Sequence, residues 1–356
     1  MIKTPIKILL LITIFNITFF ACSKEDANIK EEETSGSQVY VAGVNPINPQ
    51  LATAELWKNG VATNLSSTNE PGLAYSVFVS GEDVYTTGYE YNGTVNIAKV
   101  WKNGVASNLG NGTTSSVAYS IFVSGNDVHA AGFEEGSNGF NARSWKNGVA
   151  TDLSDGFQSS ANAVFVSGND VYAAGWQIPV STANNEFTAV LWKNGVATRL
   201  TDGTKYAGAT SVFVSGNDVY VGGFEYKDNQ SNILVAKIWK NGAAINLTDG
   251  TKDAIVESVF IDGNDVYAVG MQNVGSKLFE DAATVWKNGV ATKLTDGTKK
   301  ARAHSVFVNG SDVYVAGVEN NGTHDVATVW KNGVATSLTN GAGLARAFSI
   351  FVKTNN

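Results

Sequence analysis

Ser211-Val212-Phe213-Val214-Ser215-Gly216-Asn217-Asp218-Val219-Tyr220-Val221-Gly222-Gly223, followed shortly by Trp239-Lys240-Asn241-Gly242, is the stretch that decides the fold. It holds four short β-type runs: Ser211 to Val214, Val219 to Gly223, Leu234 to Trp239 and Ala243 to Leu247. Ser215-Gly216-Asn217-Asp218 and Lys240-Asn241-Gly242 separate them as tight hairpin signals, because Asn and Gly accept the positive φ that such turns demand. The four runs therefore predict an antiparallel meander.

The same unit recurs along the chain. Trp-Lys-Asn-Gly begins at Trp57, Trp101, Trp145, Trp192, Trp239, Trp286 and Trp330, with spacings of 44, 44, 47, 47, 47 and 44 residues. A second element keeps the period, with Phe78, Phe122, Phe165, Phe213, Phe260, Phe307 and Phe351 at equivalent places. Four strands in 44 to 47 residues match one propeller blade and exceed a β-solenoid coil. The two ends are out of phase. Val39 to Gly43 is the second strand of a unit and Ser349 to Val352 is the first, so the partial units sum to one blade. An open stack gains nothing from that offset, whereas a ring uses it to pair strands from both termini and leave no sheet edge.

The prediction is an all-β chain whose residues 38–352 form a seven-bladed β-propeller, with a short tail at 353–356. Abundant Gly (37), scarce Pro (5) and 10% aromatics agree with many short strands. The pattern resembles WD-repeat and kelch propellers in architecture but lacks their diagnostic motifs, so the resemblance implies no function.

Residues 1–21 have the form of a secretion signal. Lys3 and Lys7 precede an apolar run from Ile8 to Ala21, and fourteen helical residues reach only about 21 Å, short of the roughly 30 Å of a bilayer core. Phe19-Phe20-Ala21-Cys22 resembles the lipobox of bacterial lipoproteins, with Phe20 bulkier than usual there. By that resemblance Cys22 is the lipid attachment site. Ser23-Lys24-Glu25-Asp26 is similar to the export tag of surface lipoproteins in Bacteroidota, which implies an outer-membrane protein facing the cell exterior. Residues 22–37 are then an acylated Cys followed by a polar tether. Cys22 is the only cysteine, so no intrachain disulfide can form. Without Lys3 and Lys7, 23 basic side chains face 32 acidic ones, a net charge of about −9 that repels phosphate backbones. The expected protein is a monomer that touches the membrane only through its lipid and binds no nucleic acid.

The repeated Trp is assigned to packing between blades. The repeated turn aspartates, Asp83, Asp127, Asp170, Asp218, Asp265 and Asp312, are expected to accept backbone N–H bonds, not calcium. Both hairpin turns lie at one rim, which leaves the longer connections, where binding residues belong, at the other. There, Glu90, Glu134, Glu225 and Glu319 follow the second strand in four units. Trp176, the one Trp outside the repeated motif, starts one of the longest loops. One register entering the innermost strand varies inside the repetitive frame: Tyr75, Tyr119, Asn162, Thr210, Glu257, His304 and Phe348. Arg302 and Arg346 stand two residues before it in neighbouring units. Variation at one register is what a single asymmetric site at a channel mouth requires; drift at an exposed position produces it equally.

Catalysis has less support. His129, His304 and His324 lack metal-ligand spacing, no catalytic serine signature is visible, and neither metal nor cofactor is expected. The alternative is a propeller glycoside hydrolase or related hydrolase using the rim carboxylates. A binding or scaffold module for a protein or glycan ligand accounts for more of the sequence.

Overall fold

The computed structural model describes residues 36–48, 51–66, 70–137, 139–179, 186–275 and 280–354. The signal segment, Cys22 and the tether up to residue 35 lie outside them. The described chain forms seven four-stranded antiparallel sheets arranged as a ring. Six sheets are consecutive meanders, such as Gly72–Ser80, Asp83–Tyr91, Asn96–Lys102 and Val105–Asn108. The seventh joins the termini: Arg346–Lys353 pairs with Gln38–Asn48, which continues to Leu51–Lys58 and Val61–Asn64. Its register sets Val39 opposite Val352 and Val41 opposite Ile350. Blades are numbered 1 to 7 by their motif Trp, so blade 1, with Trp57, is the composite.

Closure is also written in side chains. The seven repeated phenylalanines form an unbroken girdle with neighbouring centroids 4.7 to 5.1 Å apart, and Phe351 sits between Phe307 and Phe78. Each motif Trp is at most 2% exposed and packs toward the preceding blade. Trp57 lies among Tyr314, Ala316, Ala327 and Ile350, and Trp101 among Tyr40, Ala42 and Ala54. These indoles are the mortar between wedge-shaped sheets, and burying such rings dominates core energetics.

The rest of the motif is a stitch. In Trp101-Lys102-Asn103-Gly104 the two turn residues have φ of 51° and 81°, the doubly positive geometry of a tight hairpin. Asn103 Oδ1 accepts the Val84 N–H at 2.8 Å and its Nδ2 donates to Asp83 at 2.8 Å. Lys102 meets the other oxygen of Asp83 at 2.7 Å and lies over the Tyr85 ring. The turn aspartate is thus held by side chains of the next hairpin, and the backbone N–H goes to Asn instead. This corrects the expectation from sequence. The Asp needs side-chain donors because the Asn carboxamide already occupies the backbone group.

Blade 1 carries a buried acid where three other blades carry a cation. Two residues before the motif Trp, blades 2, 3 and 5 carry Lys99, Arg143 and Lys237, each paired with a glutamate of the neighbouring strand. Blade 1 has Glu55 there, 6% exposed, and burial pushes its carboxyl up to about 7. The folded state therefore holds this proton more tightly than the unfolded chain, whose ordinary value is 4.5. The stability this gives is complete below 4.5 and is lost as pH rises through about 7. Glu55→Gln should melt higher than the parent at pH 8 and level with it near pH 4.5, by calorimetry. An equal difference at both pH values would show that Glu55 keeps its ordinary acidity.

Candidate functional site

Each inner strand enters from the loop-rich rim and makes a β-bulge after its first few residues. In blade 2, Ala74 pairs with Gly88 and Ser76 with Thr87, which leaves Tyr75 as the extra residue. The same slip leaves out Tyr119, Asn162, Thr210, Glu257, His304 and Phe348. The varying register of the sequence is therefore the bulged residue of every blade, and bulges re-aim side chains. The kink brings the inner backbone against the second strand. A Cβ on Gly88 would lie 1.8 Å from the Leu73 carbonyl oxygen, and the equivalent glycines of the other blades are blocked at 1.9 to 2.1 Å. That is why the second strand carries Gly at this register in every blade.

The bulged residues converge. Together with the residue after each, and with Arg302, they line a cavity of about 470 Å³ at the channel mouth. One wall is aromatic: His304, Phe348, Tyr75 and Tyr119 follow one another with centroids 5.4, 5.2 and 5.0 Å apart. The facing wall is polar. Asn162 donates to the Ala209 carbonyl at 2.9 Å, Thr210 donates to that of Val256 at 2.7 Å, and Glu257 forms an ion pair with Arg302.

Beneath runs a belt of serines that sequence reading missed. Ser349, Ser76 and Ser120 accept the backbone N–H groups of Val77, Ile121 and Val164, each in the next blade, at 3.1 to 3.2 Å. Ser211, Ser258 and Ser305 repeat this for Val259, Val306 and Ile350. Blade 4 has Ala163 instead, and there Asn162 supplies the link to blade 5. The signal was present, since Ser follows the varying residue in six of seven units, but only the bulge turns that position toward the neighbouring strand.

Electrostatically the mouth is balanced. Burial, then the Arg302, Arg346 and Lys300 cations, push His304 down to about 3, so its imidazole is neutral, with a buried Nε2 lacking a partner. Burial pushes the Tyr119 phenol up to about 12 and raises Tyr75 as well. The Glu257–Arg302 ion pair is the only charge left among the lining residues.

The other sequence candidates lie elsewhere. Glu90 pairs with Lys99 at 2.9 Å, Glu134 with Arg143 at 3.2 Å and Glu225 with Lys237 at 2.6 Å, within their own blades. Glu319 is half-buried opposite Ala301 and Val326. None of these four lines the cavity. Arg346 binds Asp325 of blade 7 at 2.8 Å, strengthening the seam at the composite blade. Trp176 is half-buried, edge-on to Phe187 at 4.3 Å. No group of three or more His, Cys, Asp or Glu among the described residues could hold a metal ion.

No protein-family model matches the sequence, and no curated protein matches it. Solved structures do match. The β-propeller domain of the trilobed protease from Pyrococcus furiosus aligns with a TM-score of 0.52 at 11% identity, covering 87% of this chain and 96% of that one. The fold is a seven-bladed β-propeller. The Pyrococcus horikoshii acylaminoacyl peptidase aligns with a TM-score of 0.53 at 13% identity, over 86% of this chain and 51% of that one, so the propeller spans about half of the peptidase. At such identities the likeness is one of fold alone. The protease domain is described as having an open velcro topology, whereas this propeller is latched by pairing of its terminal strands.

Proposed function

We propose that the propeller is a binding module, tethered to the outer membrane through acylated Cys22 and facing the cell exterior, that takes a glycan or protein ligand at its channel mouth. The observation that carries this reading is the set of seven bulges. The frame repeats almost residue for residue, yet at this register the seven blades bring six different kinds of side chain to one cavity. Drift at freely exposed positions does not account for it, since all seven residues are half-buried and line the same cavity. The cavity volume falls within the roughly 300–1,000 Å³ typical of ligand pockets.

The hydrolase alternative asks for two carboxyl groups flanking a scissile bond, one with a raised pKa. The mouth offers one, Glu257, already in an ion pair with Arg302. The rim glutamates that could join it are largely engaged by their own blades.

The experiment is an array of neutral and acidic glycans probed with the purified protein. Selective, saturable retention is the expected result. No retention, together with turnover of glycoside substrates that Glu257→Gln abolishes, would establish the hydrolase instead. Incorporation of labelled palmitate, and its loss in Cys22→Ser, tests the anchor.

A further inference from the structure

The two walls of the mouth restrict the chemistry of what enters. Tyr75, Tyr119 and Phe348 offer an apolar surface on one side, and Asn162, Thr210 and the Glu257–Arg302 pair offer polar groups on the other. Each serine at the base accepts a neighbour's N–H through its oxygen, which leaves the hydroxyl hydrogen available to a ligand. A net charge brought into this balanced cavity would lose its hydration without gaining a free counter-charge. The surroundings suit a ring with one apolar face and several neutral hydroxyl groups.

The rim also has a way out. Two residues before the bulge the other blades carry Leu73, Val117, Ser160, Ile255, Arg302 and Arg346, but blade 5 has Gly208. The Phe224 ring lies across that gap, 3.0 Å from where a Cβ of residue 208 would sit. From Phe224 a ledge of half-buried aromatics runs along the rim to the second strand of blade 4: Tyr206 at 5.6 Å, then Phe187 at 5.0 Å, then Trp176 at 4.3 Å. Nothing in the repeat calls for this series, since Phe187 and Tyr206 occupy loop ends of blades 4 and 5.

Resting on the binding reading above, we propose that the ligand is a neutral glycan chain: one pyranose residue enters the mouth against Tyr75 and Tyr119, and the following residues leave over Gly208 and Phe224 onto the Tyr206–Phe187–Trp176 ledge. The glycan is preferred to a protein because the ledge aromatics are half-buried, and among the described residues only Phe140 and Leu344 stand out as exposed large apolar side chains near this rim.

The test is calorimetric titration of the purified protein with neutral gluco- and manno-oligosaccharides, from disaccharide to hexasaccharide. Affinity should rise about tenfold or more along the series, the increment expected from one or two added aromatic stacks. Trp176→Ala should abolish that rise while leaving disaccharide affinity unchanged. Gly208→Leu, which places in blade 5 the residue of blade 2, should displace Phe224 and so abolish the rise and weaken the disaccharide as well, since its second residue passes over that position. Affinity independent of length, or a rise that survives Trp176→Ala, overturns the ledge while leaving the mouth as a binding site. Failure of every neutral glycan, with retention of an acidic glycan or a protein, overturns the glycan assignment and leaves the binding module standing. Failure of all ligands overturns both.

Discussion

Ending the chain after Phe348 should turn a cooperatively melting monomer into a protein that aggregates or melts far lower. The eight residues removed include most of the inner strand of blade 1. Ile350 and Val352 are each 4% exposed, and Phe351 fills one seventh of the aromatic girdle. At about 1.5 to 3 kcal/mol for each large buried side chain, their loss alone approaches the whole stability of a typical domain. Polar links go with them. Ser349 no longer accepts the Val77 N–H, the Ile350 N–H no longer reaches Ser305, and Lys353 no longer meets Glu82. Val39 to Ala42 are left as an unpaired, apolar strand edge, a template for association with other chains. Size-exclusion chromatography and a thermal melt decide the matter. A monomer melting within about two degrees of the full protein would mean that the ring does not depend on its terminal latch.

The architecture was legible in the sequence because three kinds of signal coincide in each unit. Asn-Gly turns fix where strands reverse, the motif Trp fixes which face is buried, and the phase of the termini fixes closure. Strand extents were less legible. The inner strand of blade 5 begins at Ala207, four residues before the Ser211 expected from pattern. Ala207-Gly208-Ala209-Thr210 lacks the β-branched run that marks a strand, and the bulge at Thr210 breaks its alternation. The same bulge hid the meaning of the second-strand glycine, which looks like a strand end in sequence and is in fact the clearance for a kinked neighbour.

The candidate site was half legible. Variation at one register could be seen, and the structure brings those residues together. Whether they faced solvent or one another depended on a bulge that no local sequence rule reveals. The rim glutamates looked available because their partners, Lys99, Arg143 and Lys237, lie on the adjacent strand at a diagonal that only the register discloses. Arg302 and Arg346, equivalent by position, separate for a similar reason: one reaches Glu257 at the mouth and the other reaches Asp325 at the seam.

The central claim is that the bulged residues make the ligand site while the repeated frame makes the fold, so the two should be separable by mutation. Blade 5 already carries threonine at the bulge, which shows that the frame accepts a small side chain there. The decisive measurement is the triple variant Tyr75→Thr, Tyr119→Thr and Phe348→Thr, titrated with the neutral oligosaccharide that binds the parent protein best and melted in parallel. Removing the aromatic wall should weaken binding by about a hundredfold or more, the equivalent of roughly 2.7 kcal/mol. The melting temperature should stay within about four degrees, because none of the three belongs to the clusters packed around the motif Trp. Undiminished affinity in a variant that melts like its parent would contradict the claim and move the ligand away from the channel mouth.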